Sequence, residues 1–144
     1  MASDDRRVFG TCPPGVVCHP RVAAYAVIVG RDGRVAAVRV SDSPYYWLPG
    51  GGGHPGETPE ATVMREVREE LGRVVTLTGR IGEAIQFFHA SDESRWYEMS
   101  ATFFRAELEA EPSTAAEHEL CWLDPRQDAG AFFHACHAWA VSRA

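Results

Sequence analysis

Apolar and β-branched residues dominate RVAAYAVIVG, residues 21–30, which is the composition of a strand. An Asp32-Gly33 turn signal follows, and VAAVRV at residues 35–40 returns as its expected hairpin partner. Residues 41–46 read as a loop. A long strand pattern covers residues 74–89, Ser91 to Ser94 read as a turn, and residues 95–108 alternate as a further strand. Residues 109–116 read as a loop and residues 118–123 as a short strand. Asp128-Ala129-Gly130 then leads into a closing helix with Phe132, Phe133, Cys136, Trp139 and Ala140 as its apolar stripe, a core face. Residues 1–20 are polar and proline-rich and read as an N-terminal arm, leaving 21–144 as one domain. Strands, helix, strands, helix, with antiparallel hairpins dominant, predict an α+β layered fold rather than a doubly wound parallel sheet.

The helical pattern lies between Gly56 and Gly72, in GETPEATVMREVREELG. Thr58 suits an N-cap, Pro59 the first helical position and Gly72 the stop, so the helix is predicted over Pro59–Leu71. At about 100° per residue, Ala61, Met64, Val67 and Leu71 share the expected buried face. Glu66, Glu69 and Glu70 fall on the opposite side at i, i+3 and i+4. Like charges so spaced destabilise a bare helix by roughly 0.2–0.5 kcal/mol per pair, and they lie toward the end where the helix dipole disfavours anions. Arg65 offsets part of this from i−4 of Glu69, while Arg68 stands beside the apolar stripe. The face is either a solvated acidic surface or a site for a divalent cation, which would remove the repulsion. The glycines Gly50 to Gly53 precede it without interruption. Each costs conformational entropy, and a loop that lets backbone approach a ligand needs them more than a structural loop does. Glu57, just ahead of the helix, either binds metal or orients that loop.

Composition narrows the chemistry. The 144 residues carry a net charge of −6, which argues against a nucleic-acid polymer as partner but not against a nucleotide, since a bound metal reverses the local sign. All 14 basic residues are arginines, so P-loop lysine and Schiff-base chemistry are excluded. No stretch reaches the roughly 18 apolar residues of a membrane span, and MASDDRRVFG lacks the apolar run of a secretory signal. A cytoplasmic protein without membrane contact is the expectation. Cys12 and Cys18, beside His19, are spaced wider than the usual zinc gap of about two to four residues and read as isolated thiols rather than a zinc corner. His134, Cys136 and His137 are expected on different faces of the closing helix, without a site.

With these residues in view, the stretch from Gly51 to Arg73 resembles the Nudix box, G-x5-E-x7-R-E-U-x-E-E-x-G-U, where U is a bulky apolar residue. Gly51, Glu57, Arg65, Glu66, Val67, Glu69, Glu70 and Gly72 fall in register, and Arg73 departs from the final apolar position. The resemblance implies a Nudix fold, a mixed β-sheet layered between helices. It implies hydrolysis of the pyrophosphate bond of a nucleoside diphosphate linked to another moiety, with Mg²⁺, or Mn²⁺, as cofactor and the protein a monomer or homodimer. It makes Glu66, Glu69 and Glu70 metal ligands, with Glu57 a further ligand or a loop stabiliser, and has Arg65 orient the carboxylates. The general base is a box glutamate such as Glu66 or Glu69, or a later one. Glu117 is preferred over Glu119, because its neighbours read as loop. Arg39, Gly50 and Gly51 are the candidate substrate contacts. Trp47, Phe87, Phe88 and Tyr97 could stack a base but read first as core.

Motifs outside the box mark subfamilies. The nicotinamide-dinucleotide and coenzyme A signatures are absent, and Phe88-His89 stand where the ADP-ribose and dinucleoside-polyphosphate groups carry proline and tyrosine. Elimination leaves (deoxy)nucleoside triphosphates first, oxidised purines included. The alternatives are an ADP-ribose or nucleotide-sugar pyrophosphatase and a Nudix module that binds a nucleotide without cleaving it.

Overall fold

Strand β2, Cys18–Ile28, buries both faces from Ala23 onward. Ala23, Tyr25 and Val27 join one apolar cluster and Ala24, Ala26 and Ile28 the other, as the two-residue period of a strand requires. Its apolar run therefore reflects a central strand covered on both sides. In the computed structural model, which describes residues 6–110 and 115–144, helix α1 (Pro59–Leu71) and helix α2 (Ala135–Arg143) are those covers. Val63, Val67 and Leu71 of α1 fill one cluster, and Cys136 and Ala140 of α2 the other.

The main sheet has the order β1-β5-β6-β2-β4, with β1 Arg7–Phe9, β4 Gly50–Gly52, β5 Val75–Ala90 and β6 Arg95–Leu108. β6 runs parallel to β2 and antiparallel to β5, β4 is antiparallel to β2, and β1 is parallel to β5. A second, two-stranded sheet joins β3 (Val35–Arg39) to β7 (Glu119–Leu123). This is the layered α+β architecture that the element order implied.

Four expectations need correcting. β3 is not the hairpin partner of β2. The two touch at the Val29–Val35 bridge, after which β3 pairs with β7 from Val35–Leu123 to Arg39–Glu119. β6 takes one side of β2 along its length, and β4 takes the other at Ala23–Tyr25. The arm is tied down at Arg7–Phe9 by β5, and β2 begins at Cys18, before residue 21. Cys12 and Cys18 are not isolated thiols; they form a disulfide that closes the loop between β1 and β2. Phe132 and Phe133 precede α2 instead of lying in it, because a 3₁₀ turn at Ala129–Ala131 comes first. The loop expected at residues 109–116 lies in part outside the described residues.

Candidate active site

Helix α1 starts and stops where its caps dictate. Thr58 accepts a hydrogen bond from the Ala61 amide at 3.1 Å, and Gly72, at φ 62°, donates to Arg68 at 2.9 Å. The apolar face is rotated from the expected one. Thr62, Val63, Val67 and Leu71 are buried, whereas Met64 is 45% exposed and Ala61 is also exposed. Thr62 tolerates burial because its hydroxyl donates to Glu57 Oε1 at 2.7 Å. The rotation matters, because it brings Glu66 and Glu70 toward the glycine loop and leaves Glu69 more exposed.

The loop needs its glycines. Gly50 has φ 143°, and a Cβ there would run into the Ala24 carbonyl of β2. A Cβ on Gly51 would stand 2.9 Å from the Glu66 carboxylate carbon. The loop backbone thus lies directly over the helix, and the Gly50 amide donates to Glu70 Oε1 at 2.8 Å.

Arg65 ties the helix to the loop. Its Nε donates to Glu57 Oε2 at 2.8 Å, and its Nη2 to Glu57 Oε1 at 3.0 Å and the Gly52 carbonyl at 2.9 Å. Its Nη1 reaches Glu66 at 2.9 Å and Glu69 Oε2 at 3.1 Å. Glu57 also accepts from the His54 amide at 3.0 Å. These donors, Arg65 foremost, hold its carboxyl far below the usual carboxylate range. Both Glu57 oxygens thereby accept hydrogen bonds, an arrangement that fits the loop-orienting role.

Glu70 has no such cation. Burial, followed by the like charges of Glu66, Glu117 and Glu69, pushes its carboxyl up to about 8 against the relief given by Gly50. Among the described residues, no three His, Cys, Asp or Glu side chains converge as a ready-made metal cluster. Arg65 draws Glu66 and Glu69 to itself while Gly50 holds Glu70. The donor chemistry still suits a hard divalent cation: Glu66, Glu69 and Glu70 offer carboxylate oxygens from one helix, and the buried one lacks a counter-charge.

The glycine loop forms one wall of a cavity of about 510 Å³. Glu70, Gly50 and Gly51 stand at one side, with Trp47, Phe88 and Phe133 among the other lining residues. Arg21 lines this cavity and also a second one of about 560 Å³ along Gly52, Gly53 and His54. Its guanidinium lies over Tyr97, 5.6 Å from the ring centroid, and its buried Nε has no hydrogen-bond partner.

A family model for the NUDIX domain matches residues 19–135. The chain belongs to the Nudix family. A MutT-like protein of Streptomyces ambofaciens is 46% identical over 61 residues, and a Bacillus subtilis protein provisionally named an 8-oxo-dGTP diphosphatase is 34% identical over 59. Each match spans 40% of that relative and about the same share of this chain, 40% and 41%. The crystal structure of a MutT Nudix hydrolase from Burkholderia pseudomallei superposes with a TM-score of 0.66 at 26% identity, over 87% of this chain and 98% of that one.

Within this Nudix fold the predicted residues separate. Glu57, Arg65, Glu66, Glu69, Glu70, Gly50 and Gly51 come together. Glu117 stands at the end of α1, its amide donating to the Glu69 carbonyl at 3.3 Å, and Glu119 lies in β7 opposite Arg39. Arg39 does not reach the glycine-loop cavity; its Nε donates to the Ser43 carbonyl at 3.3 Å, and it lines a separate hollow with Glu117 and Glu119. Arg73, the departure from the box, hydrogen-bonds to the Glu109 and Ala110 carbonyls instead of packing behind the helix.

Sequence reasoning missed Arg21 and His134. Arg21 read only as the first residue of a strand, although period-two alternation sets it on the same side of β2 as Tyr25, which lines the cavity. His134, Cys136 and His137 are not dispersed around a helix. All three are buried, and the two imidazole centroids are 5.0 Å apart. His134 precedes the first turn of α2, so helix-wheel spacing does not apply to it.

Proposed function

We propose that this protein hydrolyses the pyrophosphate bond of a nucleoside diphosphate linked to another moiety, using a divalent cation. We further propose that its substrates are (deoxy)nucleoside triphosphates, oxidised purine nucleotides among them. The observation that carries the reading is the meeting of Glu66 and Glu70 with the Gly50–Gly51 backbone at the wall of an aromatic cavity, with Arg65 joining Glu69 to Glu66. The name of the Bacillus subtilis relative supports the oxidised purine class.

Glu66, Glu69 and Glu70 would hold Mg²⁺, or Mn²⁺, which when bound offsets phosphate charge and eases deprotonation of water. The chain's own residues supply the positioning. Arg65 and Glu57 fix the loop over the helix, so the carboxylates keep one geometry. Glycines in the loop leave room for phosphate oxygens against the backbone. Arg21 has no carboxylate partner among the described residues and lines both cavities, so it is assigned to a substrate phosphate. Glu117, or a box glutamate, accepts the proton of the attacking water. The water oxygen bonds to phosphorus as the bridging P–O bond breaks, and the leaving phosphate takes that bond's electron pair.

The test is product analysis across common triphosphates, an oxidised guanosine triphosphate, ADP-ribose and a nucleotide sugar, with Mg²⁺, Mn²⁺ or EDTA. Metal-dependent release of phosphate or pyrophosphate from triphosphates supports the reading. Faster cleavage of ADP-ribose or the sugar nucleotide moves the substrate class. Binding without cleavage of any of them replaces the enzyme with a binding module.

A further inference from the structure

His134 is 3% exposed, yet its Nδ1 has no hydrogen-bond partner. More than about 90% of buried polar groups are paired, and an unpaired one costs roughly 1–3 kcal/mol. The residue lines the 510 Å³ cavity. Its ring meets Phe88 edge-on at 4.5 Å and Phe133 at 4.8 Å, and Phe133 in turn lies 5.4 Å from Trp47. The result is an aromatic-walled chamber lined in part by His134, whose ring carries a buried, unsatisfied nitrogen, beside the glycine loop.

The chemistry of that lining selects among the parts of a nucleotide. A phosphate is served by Arg21, which lines the same cavity, whereas burial, with help from the Arg21 charge, lowers the proton affinity of His134 to about 4, so the imidazole is neutral and attracts no phosphate to its own wall. Beside His134 the wall is made of the Phe88 and Phe133 rings, which offer the hydroxyls of a sugar no partner. A flat heterocycle stacks on the aromatic rings and presents polar atoms only at its edge. His137 does not compete for that edge. Its Nδ1 already accepts the Leu48 amide at 3.1 Å, and the side chain is fully buried.

We propose that His134 is a specificity-determining residue: the chamber walled by Trp47, Phe88 and Phe133 takes the substrate's nucleobase, and His134 Nδ1 hydrogen-bonds to the base edge. The inference rests on the hydrolase reading for the identity of the substrate. His134 touches the base and not the reacting phosphorus, so its removal acts on discrimination between substrates.

His134→Phe keeps the aromatic wall and deletes the nitrogen. The experiment compares kcat/KM for the four common ribonucleoside triphosphates and an oxidised guanosine triphosphate with that for inorganic tripolyphosphate, which has no base. The expected result is a fall of about tenfold in the ratio of the preferred nucleotide to tripolyphosphate, the equivalent of one hydrogen bond, with a narrowed spread among bases. His134→Gln, which restores a donor and an acceptor, should recover part of that ratio. An unchanged ratio in His134→Phe, or a parallel loss on all substrates in both variants, overturns the proposal. If the wild type cleaves no nucleotide, the hydrolase reading fails separately. Binding of the corresponding uncharged nucleosides, followed by Trp fluorescence, then decides the chamber's role: weaker binding in His134→Phe supports it and equal binding overturns it.

Discussion

Gly50 donates its amide to Glu70 Oε1 at 2.8 Å, while Arg65 of the same helix is committed to Glu57, Glu66 and Glu69. The loop thus holds the buried carboxylate without neutralising it. Because the Glu70 carboxyl is raised from 4.5 to about 8, the folded state prefers it protonated. Its stabilising contribution is complete below the unfolded value and is lost as pH rises through the folded one. Metal-free protein should therefore lose stability between about pH 4.5 and 8, by on the order of a few kcal/mol. Thermal melts in EDTA should show the slope, and Glu70→Gln should flatten it.

The two buried histidines act in the opposite direction. Burial lowers His134 from 6.5 to about 4 and His137 well below 6.5, with Arg21 and the neighbouring imidazole as the respective secondary causes. Proton uptake on unfolding then lowers stability as pH falls below 6.5. Denaturant melts of His134→Phe should show a weaker acid decline than wild type from pH 6.5 to 4. An unchanged decline would mean that His134 is not buried as a neutral imidazole.

Adjacent glycines should respond differently to the same change. In Gly51→Ala the new Cβ meets the Glu66 carboxylate at 2.9 Å, the mobile end of a side chain, so the chain folds and Glu66 moves aside. Turnover should fall about 10²-fold, the scale of a displacement near 1 Å, with the melting temperature little changed. In Gly50→Ala the obstacle is the backbone of β2 and φ is 143°. There the loss should appear in stability, at least ~1–3 kcal/mol.

Arg65 is predicted to act through geometry. Arg65→Lys keeps the charge and loses the two-pronged grip on Glu57. It should cost about 10²-fold in kcat, and added metal should not restore the rate, since the loop stays loose. Activity close to wild type in Arg65→Lys would show that charge alone suffices.

The boundaries of α1 were legible because they rest on local chemistry: Thr58, Pro59 and Gly72 cap the helix whatever packs on it. The phase of its buried face was not. Met64 outranks Thr62 in hydrophobicity, and only the Glu57 carboxylate, brought round by the loop, makes Thr62 the better buried residue. β3 failed as a hairpin partner for a similar reason, since the strand it pairs with, β7, lies about 80 residues further along the chain. The carboxylates and the glycine run were readable from their spacing. Arg21 and His134 were not, because β2, the glycine loop and the start of α2 meet only after folding.

The central claim is that Glu66, Glu69 and Glu70 of α1 hold a divalent cation for pyrophosphate hydrolysis. The most direct test is Mg²⁺-dependent turnover of the best nucleotide by wild type and by Glu66→Gln, Glu69→Gln and Glu70→Gln, with Mn²⁺ binding measured on the same samples by calorimetry. The variants should fold, bind Mn²⁺ weakly and turn over at least about 10²-fold more slowly, the scale of a misplaced catalytic group. Wild-type turnover and Mn²⁺ affinity in all three variants would contradict the claim.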